Sequence, residues 1–275
     1  MTPSLRNEDV ITANREYFNR NATIYDRDES CMVDARAQRI VDDHLREILA
    51  RLQERFPGAP LRILDAGGGS GNVSLKLNAL GLPTELVDVS QEMINLYLSK
   101  APAELRGEIR TACSDLETFF SAASTTRYHL ICFSSVLHHL LDYRAILTLA
   151  EEHLLPGGMI YTIHDPSPSS RFWNRVEMAD YHLSTFQHLS AYIRRRLGFK
   201  PRPSEHAEAA ADETTAEPHV GPGIDDVALR DFFSSLGLRI VWHQRYKTAR
   251  TLPATLLFRL AGHARGFSFA VEKTA

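Results

Sequence analysis

Residues 61–71 read Leu61-Arg62-Ile63-Leu64-Asp65-Ala66-Gly67-Gly68-Gly69-Ser70-Gly71. The run Leu61–Leu64 is short and mostly apolar, as expected of a buried strand in a parallel sheet. The glycines after Asp65 allow a sharp turn and let the backbone approach a ligand closely. A helix that begins after such a loop presents unpaired N–H groups to a ligand oxygen. The acid before the first glycine favours a ligand with a positively charged end over a pyrophosphate.

The composition is that of an ordinary folded protein. The chain has 275 residues, 44% hydrophobic and 24% charged, which is enough for one large domain. A formal net charge of −3 creates no overall field that would attract nucleic acid or an anionic membrane. Cys31, Cys113 and Cys132 have no paired spacing, so we expect reduced thiols and a cytoplasmic protein. We expect neither a signal peptide nor a membrane span, because no long apolar run is present.

Strand and helix patterns alternate from residue 61 onward. The predicted strands are Leu61–Leu64, Glu85–Val89, Ile109–Ala112, Leu130–Ser134 and Met159–His164, with helices at about 71–80, 91–100 and 142–155. Pro156-Gly157-Gly158 is predicted to end the last of these helices and turn into the next strand. This alternation favours a parallel sheet covered on both faces, in which ligands bind at the carboxyl ends of the strands.

The segments on either side of this core have other patterns. Before it, we predict a short helix and a loop over 8–26, then an amphipathic helix over 32–56. After it, residues 166–223 predict a helix over about 171–198 and a mobile acidic loop over 201–223. The sheet then resumes with a helix capped by Asp225 or Asp226, a strand at 238–246, a helix near 252–261 and a strand at 267–272. The predicted divisions are a lid (1–60), a core (61–165), an inserted cap (166–223) and the C-terminal part of the core sheet (224–275).

Two further acids follow predicted strands. Asp88 ends the second strand, where a carboxylate can accept hydrogen bonds from both hydroxyls of a ribose. Asp115 follows the third strand, where it or the adjacent backbone can meet the amine of an adenine. Each acid could instead only cap the following helix. A dinucleotide is disfavoured, because Asn72 stands where a dehydrogenase fingerprint needs its third glycine or an alanine.

With these motifs the chain resembles the class I S-adenosylmethionine-dependent methyltransferases over about 61–165. The resemblance rests on Leu61–Gly71, Leu86–Ser90, Ser114–Leu116, Val136–Leu140 and Leu154–Gly158. It implies an α/β, Rossmann-like sheet of seven strands, six parallel and the last antiparallel, with helices on both faces. It also implies S-adenosyl-L-methionine as the cofactor. The cofactor-binding residues that we predict are Tyr25, Asp65, Gly67, Gly69, Gly71, Asp88, Val89, Met93, Ser114, Asp115, Leu116 and Ser134.

The chemistry of a sulfonium methyl group limits what the catalytic residues must do. The methyl is already electrophilic, so the enzyme chiefly aligns the acceptor and excludes water. A base is needed only if the acceptor loses a proton, and histidine suits that task. We predict His164 and His139 as catalytic residues, with Asp165 orienting His164. We predict that His138, Trp173 and His182 contact substrate; the competing interpretation is that these side chains pack or cap.

The function predicted from the sequence is methyl transfer to an oxygen, nitrogen or carbon of a small molecule, such as a secondary metabolite. We expect no nucleic-acid partner and no metal site, and a homo-oligomer is possible. Two alternatives stay open. The first is an enzyme of another class on this scaffold, such as a cyclase. The second is a non-catalytic subunit that binds S-adenosylmethionine.

Overall fold

The computed structural model describes residues 6–28, 32, 34–169, 171–184, 218–219, 223–246 and 252–274. The helices are α1 (Asn7–Asp28), α2 (Ala35–Arg55), α3 (Asn72–Ala79), α4 (Gln91–Lys100), α5 (Leu116–Ala122), α6 (Tyr143–Glu152), α7 (Arg171–Ser184), α8 (Asp226–Ser235) and α9 (Leu252–Ala261). The strands are β1 (Ile63–Ala66), β2 (Glu85–Asp88), β3 (Arg110–Cys113), β4 (Tyr128–Ser134), β5 (Leu154–Pro166), β6 (Leu238–Tyr246) and β7 (Gly266–Lys273). Short 3-10 turns lie at Ala103–Leu105 and Leu137–His139.

The seven strands form one sheet in the order β3-β2-β1-β4-β5-β7-β6. Strand β1 pairs in parallel with β2 and β4, and β4 pairs in parallel with β5. Strand β7 is antiparallel to both of its neighbours, β5 and β6. Six strands therefore run one way and β7 runs the other, which confirms the predicted fold. The strand order reverses between β1 and β4, so a cleft is expected at their carboxyl ends.

Hydrophobic cores lie on both faces of the sheet. Along β4, Leu130 and Cys132 belong to one core, while Ile131 and Phe133 belong to the other. All four side chains are fully buried. A strand buried on both faces cannot alternate polar with apolar residues. The continuous apolar run that indicated a parallel sheet is thus explained by helices on both sides.

Helix α2 confirms the amphipathic pattern predicted over 32–56. Its buried side recurs every three or four residues and includes Val41, Leu45 and Ile48. The Asp34 carboxylate accepts hydrogen bonds from the amides of Arg36 and Ala37, which caps the first turn. The helix packs against β5 and contributes to one of the hydrophobic cores.

Helix α1 differs from the predicted short helix and loop, since it runs unbroken over Asn7–Asp28. The sequence of this segment is mostly polar, and only small stretches of it are buried. Contacts with other elements hold its second half in place. The Ser90 hydroxyl donates to Asn19 Oδ1 at 2.7 Å, and Lys100 pairs with Asp26 at 2.5 Å. Tertiary contacts with α4 and the loop before it therefore extend a helix that the local pattern did not indicate.

Residues Pro156-Gly157-Gly158 do not form the predicted turn between α6 and a strand. Helix α6 ends at Glu152, and β5 already begins at Leu154. The pairing of β5 with β4 changes register between Tyr128 and Leu130. A Cβ at Gly158 would stand 2.9 Å from the carbonyl oxygens of Leu155 and Tyr128. The glycine thus lies inside an irregular strand start, where two backbones approach closely.

The C-terminal elements match their predictions. Asp225, rather than Asp226, caps α8 by accepting from the amides of Val227 and Ala228. Strand β6 and helix α9 have the predicted bounds. Helix α7 is the first part of the predicted cap helix. Residues 185–198, and the predicted mobile loop apart from 218–219 and 223, lie outside the described residues.

Candidate functional site

A cleft opens at the carboxyl ends of β1, β2, β3 and β4, beneath one side of α1. The space between its walls, counted together with the open solvent at its mouth, is about 900 Å³. Its wall is formed by Asn7, Val10, Ile11, Asn14, Phe18, Tyr25, Met32, Gly67, Gly68, Gly69, Ser70, Asn72, Asp88, Val89, Met93, Ser114, Asp115, Leu116, Ser134, Ser135, Val136, His139 and Leu140. Most of the predicted cofactor residues are therefore brought together on this wall.

Asp88 stands at the end of β2 with a carboxylate that is only partly used by the protein. Its Oδ2 accepts from the Gly69 amide at 2.9 Å, and its Oδ1 accepts from the Ser90 amide at 2.8 Å. The helix cap of α4 is Ser90, whose hydroxyl accepts from the Met93 amide. Each carboxylate oxygen has a second lone pair, so Asp88 can accept two more hydrogen bonds. Burial raises the pKa of Asp88 to about 6.

Gly69 and Gly71 need glycine for different reasons. Gly69 has a φ of +53°, and a Cβ there would stand 3.2 Å from Met93 Cε and 3.9 Å from Asp88 Oδ2. A side chain at Gly69 would therefore enter the cleft. Gly71 has a φ of +89°, and a Cβ there would come within 2.3 Å of the Tyr97 ring. The structure thus places Gly71 against a packed tyrosine and away from the cleft wall.

Asp65 lies beneath the glycine loop rather than on the wall of the cleft. Its side chain is fully buried, and Oδ2 accepts from the amide and the hydroxyl of Ser74, at 3.0 and 2.7 Å. Burial raises the pKa of Asp65 to about 6. The carboxylate ties β1 to the first turn of α3 and so fixes the loop between them. Direct contact between Asp65 and a cofactor stays a prediction.

Asp115 combines the two roles that the sequence left open. Its carboxylate caps α5 by accepting from the Thr118 amide at 2.9 Å. Asp115 also lines the cleft, together with Ser114 and Leu116. A helix cap and a wall position are compatible, because the cap uses one carboxylate oxygen. The adenine contact stays a prediction with a suitable location.

His139 lies on the cleft wall and His138 does not. The ring of His139 contacts Phe18 edge-on, with centroids 5.2 Å apart. His138 is buried behind it, with Nδ1 2.8 Å from Asp165 Oδ1, and the same oxygen accepts from the His138 amide. Burial lowers the pKa of His138 well below its usual value and raises the pKa of Asp165. The pair therefore holds the loop that carries His139.

His164 is outside the cleft wall, and the predicted pairing with Asp165 is wrong. The His164 amide donates to the Tyr246 hydroxyl at 2.8 Å, and Nδ1 lies 2.8 Å from the same oxygen. Asp165 instead bonds His138. His164 has a φ of +69° and lies where the pairing of β5 with β7 changes register, and there its ring meets Tyr246 rather than Asp165. Burial lowers the pKa of His164 to about 4.

The predicted substrate contacts of the cap fall elsewhere. Trp173 stacks on His263 with centroids 4.5 Å apart and planes at 10°, and it meets Phe258 edge-on. Glu177 lies one turn further along α7 and bonds both His263 and Arg265. Trp173 is not on the cleft wall, which favours the interpretation that it packs the cap. His182 belongs to α7, and its side chain is outside the described residues.

Two asparagines on the wall were missed by the sequence reasoning. Asn14 lies on the face of α1 that covers the cleft. Asn72 begins α3, and its Oδ1 accepts from Gln38 at 2.8 Å. Its Nδ2 is buried and has no hydrogen-bond partner within the described structure. The periodicity of α1 (Val10, Asn14, Phe18) carried a usable signal, but it was hidden by the polar composition of the segment.

The charged side chains on the wall limit which ligands suit the cleft. Among the described residues that line the cleft there is no lysine or arginine, and Asp88 and Asp115 supply negative charge. The wall suits a ligand that carries hydroxyl groups and a positive charge.

Two other features are absent from the described part of the chain. No group of three or more histidine, cysteine, aspartate or glutamate residues there could hold a metal ion. Nor does any helix described here combine the length and apolarity needed to cross a membrane.

Comparison with known proteins places these features in context. The methyltransferase domain family matches residues 36–198. A tRNA 5-carboxymethoxyuridine methyltransferase of Escherichia coli (strain K12) is 33% identical over 114 residues, which are 38% of this chain and 41% of that protein. A ubiquinone biosynthesis O-methyltransferase of Cereibacter sphaeroides (strain ATCC 17029 / ATH 2.4.9) is 29% identical over 133 residues, or 47% and 50% of the two chains. The chain thus spans about half the length of the curated relatives that it matches.

A solved structure shows a similar fold over nearly the whole chain. Magnesium protoporphyrin IX methyltransferase from Synechocystis PCC 6803, crystallised with bound SAH, aligns with a TM-score of 0.57 and 16% identity. The alignment covers 96% of this chain and 100% of that one. At this identity the likeness concerns the fold alone.

Proposed function

The chain belongs to the methyltransferase domain family, and we propose that it transfers the methyl group of S-adenosylmethionine to a small molecule. The observation that carries this proposal is the convergence of Asp88, the glycine loop, Asp115 and His139 on one cleft. The first three suit a nucleoside with a charged end. His139 lies on the same wall, and the proposal puts the methyl acceptor beside it.

The residues present fit the cofactor. Asp88 retains two lone pairs for the ribose hydroxyls, and Ser114–Leu116 offer a polar and apolar edge for adenine. The unpartnered Nδ2 of Asn72, at the start of α3, suits the carboxylate of the amino-acid end. When bound, the cofactor supplies an electrophilic methyl group. No lysine or arginine on the described wall would repel its sulfonium.

The remaining wall residues support the transfer itself. Val10, Ile11 and Phe18 of α1 cover the cleft with apolar groups, which excludes water from the reacting atoms. His139 can take up a proton at its imidazole if the acceptor loses one. Its loop is held by His138 and Asp165, so the ring has a fixed position for that task. These residues orient and desolvate the acceptor, which supplies most of the catalysis for a reactive methyl donor.

A small-molecule acceptor is favoured over RNA. Helix α1 forms one side of the cleft, so an acceptor must fit between this helix and the strand ends. The net charge of −3 and the absence of cations from the described wall oppose binding of a polyanion. One relative is named as a tRNA methyltransferase, so tRNA belongs in the activity test beside a panel of small metabolites.

Cofactor binding gives the first test. We expect Asp88→Ala to weaken S-adenosylmethionine binding, measured by isothermal titration calorimetry, by about 1–3 kcal/mol, because a charged acceptor of hydrogen bonds is lost. Asp231→Ala is the matched control, since Asp231 is an exposed aspartate in an ion pair with Arg230 away from the cleft. Equal affinities of the Asp88 variant and the parent protein would remove Asp88 from the site.

Product analysis gives the second arm of the same test. Incubation with S-adenosylmethionine and each candidate acceptor is followed by mass spectrometry for a gain of one methyl and for S-adenosylhomocysteine. Both products together support methyl transfer. Conversion of the acceptor without S-adenosylhomocysteine would favour another class of reaction, such as cyclisation. A parent protein that binds no S-adenosylmethionine at all would contradict the proposal.

A further inference from the structure

Asn14, a residue of the cleft wall, has a hydrogen-bond acceptor without a partner in the described structure. Asn14 is 6% exposed, and its Oδ1 is closed to solvent with no hydrogen-bond partner within the described structure. Buried polar atoms of native proteins are nearly always paired. An unpaired one beside a ligand cleft indicates that the ligand supplies the partner.

The amide of Asn14 can have only one orientation. Its Nδ2 donates to the carbonyl oxygens of Val10, at 2.9 Å, and His139, at 3.3 Å. Carbonyl oxygens only accept, so exchanging Nδ2 with Oδ1 would set oxygen against oxygen. The group that Asn14 offers to a ligand is therefore an acceptor. Any partner must carry an N–H or O–H.

The location of Asn14 relates this acceptor to the methyl acceptor rather than to the nucleoside. Asn14 bonds the backbone of His139, the histidine of the wall. Asp88 and Asp115, which suit the nucleoside, follow β2 and β3, on the other side of β1 from β4 and His139. The apolar side chains of Val10 and Phe18 flank Asn14 on α1. A ring-bearing molecule with one polar donor matches these surroundings.

The charge of the wall gives an independent argument. A carboxylate or phosphate acceptor would need a cation to replace its hydration, and the described wall contains no lysine or arginine. Asn14 Oδ1 would also repel a carboxylate oxygen. A neutral hydroxyl or amine meets neither obstacle, and it pairs with Asn14.

We propose that Asn14 selects a methyl acceptor whose reacting group is a neutral hydroxyl or amine, and disfavours a carboxylate. This inference rests on the proposed function and narrows its substrate class. In the balanced step, the acceptor oxygen or nitrogen forms the bond to the methyl carbon while the carbon–sulfur bond breaks. The bonding pair stays on sulfur, and the acceptor's proton leaves its hydrogen bond to Asn14 Oδ1 and passes to the His139 imidazole. Asn14 is a specificity residue, because it holds the hydrogen-bearing group in line before transfer.

The test compares three compounds on one aromatic frame: naphthol, naphthylamine and naphthoate. Binding to the complex with S-adenosylhomocysteine is measured by calorimetry, and methylation is measured by mass gain. We expect the hydroxyl or the amine compound to bind and react at least about tenfold better than the carboxylate. The hydroxyl and amine arms show which donor the site prefers.

Variants separate Asn14 from the rest of the protein. Asn14→Leu, of similar size, is expected to lower kcat/KM for the neutral acceptor by about tenfold or more, while S-adenosylhomocysteine affinity stays within about twofold. Asn21→Leu is the matched control. Asn21 is on the same helix and donates to the carbonyl of Tyr17 four residues earlier, but it is not on the cleft wall. Asn14→Ala repeats the test if the leucine variant does not fold.

The outcomes that overturn the inference are distinct from those that overturn the proposed function. Preference for naphthoate, reaction with none of the three compounds, or an Asn14 variant with unchanged selectivity would overturn the role of Asn14. The proposed function would survive each of these if S-adenosylhomocysteine still binds. Failure of the parent protein to bind S-adenosylhomocysteine would count against the proposed function itself.

Discussion

Two buried carboxylates next to the glycine loop make the fold sensitive to pH. Asp65 and Asp88 are both buried, and burial raises the pKa of each to about 6. An unfolded aspartate has a pKa of about 3.9. The folded state therefore binds more protons than the unfolded state between about pH 4 and pH 6. The stability that the protonated carboxyls contribute is present below pH 4 and is lost as pH rises through 6.

Asp65→Asn is expected to isolate this effect. The amide is neutral at every pH, so the variant avoids the cost of a buried charge above pH 6. Relative to the parent protein, its free energy of unfolding should rise by about 2–3 kcal/mol between pH 4 and pH 7, since each pKa unit is about 1.4 kcal/mol. Urea denaturation at both pH values measures the difference.

The exposed Asp43→Asn is the control for Asp65→Asn, since Asp43 lies in a surface pair with Arg46. Its difference from the parent protein should not change with pH by a comparable amount. A constant difference between Asp65→Asn and the parent across the same range would contradict the raised pKa of Asp65.

At the level of elements, a cluster just before β7 contacts the described part of the cap helix α7. Trp173 stacks on His263, and Glu177 bonds His263 and Arg265 at 2.6 and 2.7 Å. Exposed side chains are found elsewhere on the same helix, such as Phe172 at 61%. The Trp173–His263–Glu177 cluster lies away from the cleft wall.

Trp173→Ala is expected to loosen α7 without changing cofactor affinity. The lost aromatic contact is worth about 0.5–1.5 kcal/mol, so amide hydrogen exchange over Arg171–Ser184 should become up to about tenfold faster. Hydrogen-exchange mass spectrometry measures this, and calorimetry measures S-adenosylmethionine binding. Arg175→Ala is the control, because that side chain is exposed on the same helix. Weaker cofactor binding in the Trp173 variant alone would instead support its predicted role at the site.

Sequence patterns predicted the elements whose periodicity comes from the core. Val41, Leu45 and Ile48 identified α2, and the apolar run of β4 identified a strand buried on both faces. Sequence patterns failed to predict the secondary structure where contacts between distant residues determine it. Polar α1 is helical because Asn19 and Asp26 bond to the region around α4.

The same division applies to the cleft. Asp88, Asp115 and His139 were predictable because strand ends converge at one edge of a parallel sheet. The positions of His164 and Trp173 depend on Tyr246 and His263, which lie 82 and 90 residues further along the chain (246 − 164 and 263 − 173). Neither partner could be read from local sequence. The sequence did not predict a role for Asn14, because that role depends on a hydrogen bond from its side chain to the distant backbone carbonyl of His139.

At the scale of the whole molecule, α1 belongs to the site more than to the core. Its few buried apolar residues, such as Val10, Ala13 and Ala22, are small. Its polar contacts go to the rim of the cleft, including that of Ser70 with Asp26 at 2.5 Å. The sheet and the hydrophobic cores of the described structure contain no residue of α1.

A chain that starts at Asp34 is therefore expected to fold but to bind cofactor poorly. Far-ultraviolet circular dichroism and thermal unfolding should show a cooperative fold, since the hydrophobic cores are kept. The affinity for S-adenosylmethionine should fall by about tenfold or more, because part of the wall is lost. Unchanged affinity would show that α1 is not part of the cofactor site, and loss of cooperative unfolding would show that it is part of the core.

The position of β7 between β5 and β6 has a consequence for synthesis on the ribosome. Strand β6 pairs with β7 and stands at the edge of the sheet, but it is made first. Until residues 266–273 emerge, β6 has no strand to join, and the nascent sheet ends at β5. That strand spans Leu154–Pro166, so its unpaired backbone is a long edge on which a neighbouring nascent chain can add. Slow translation between β6 and β7 would prolong this exposure, so the pace of synthesis there should affect the yield of folded protein.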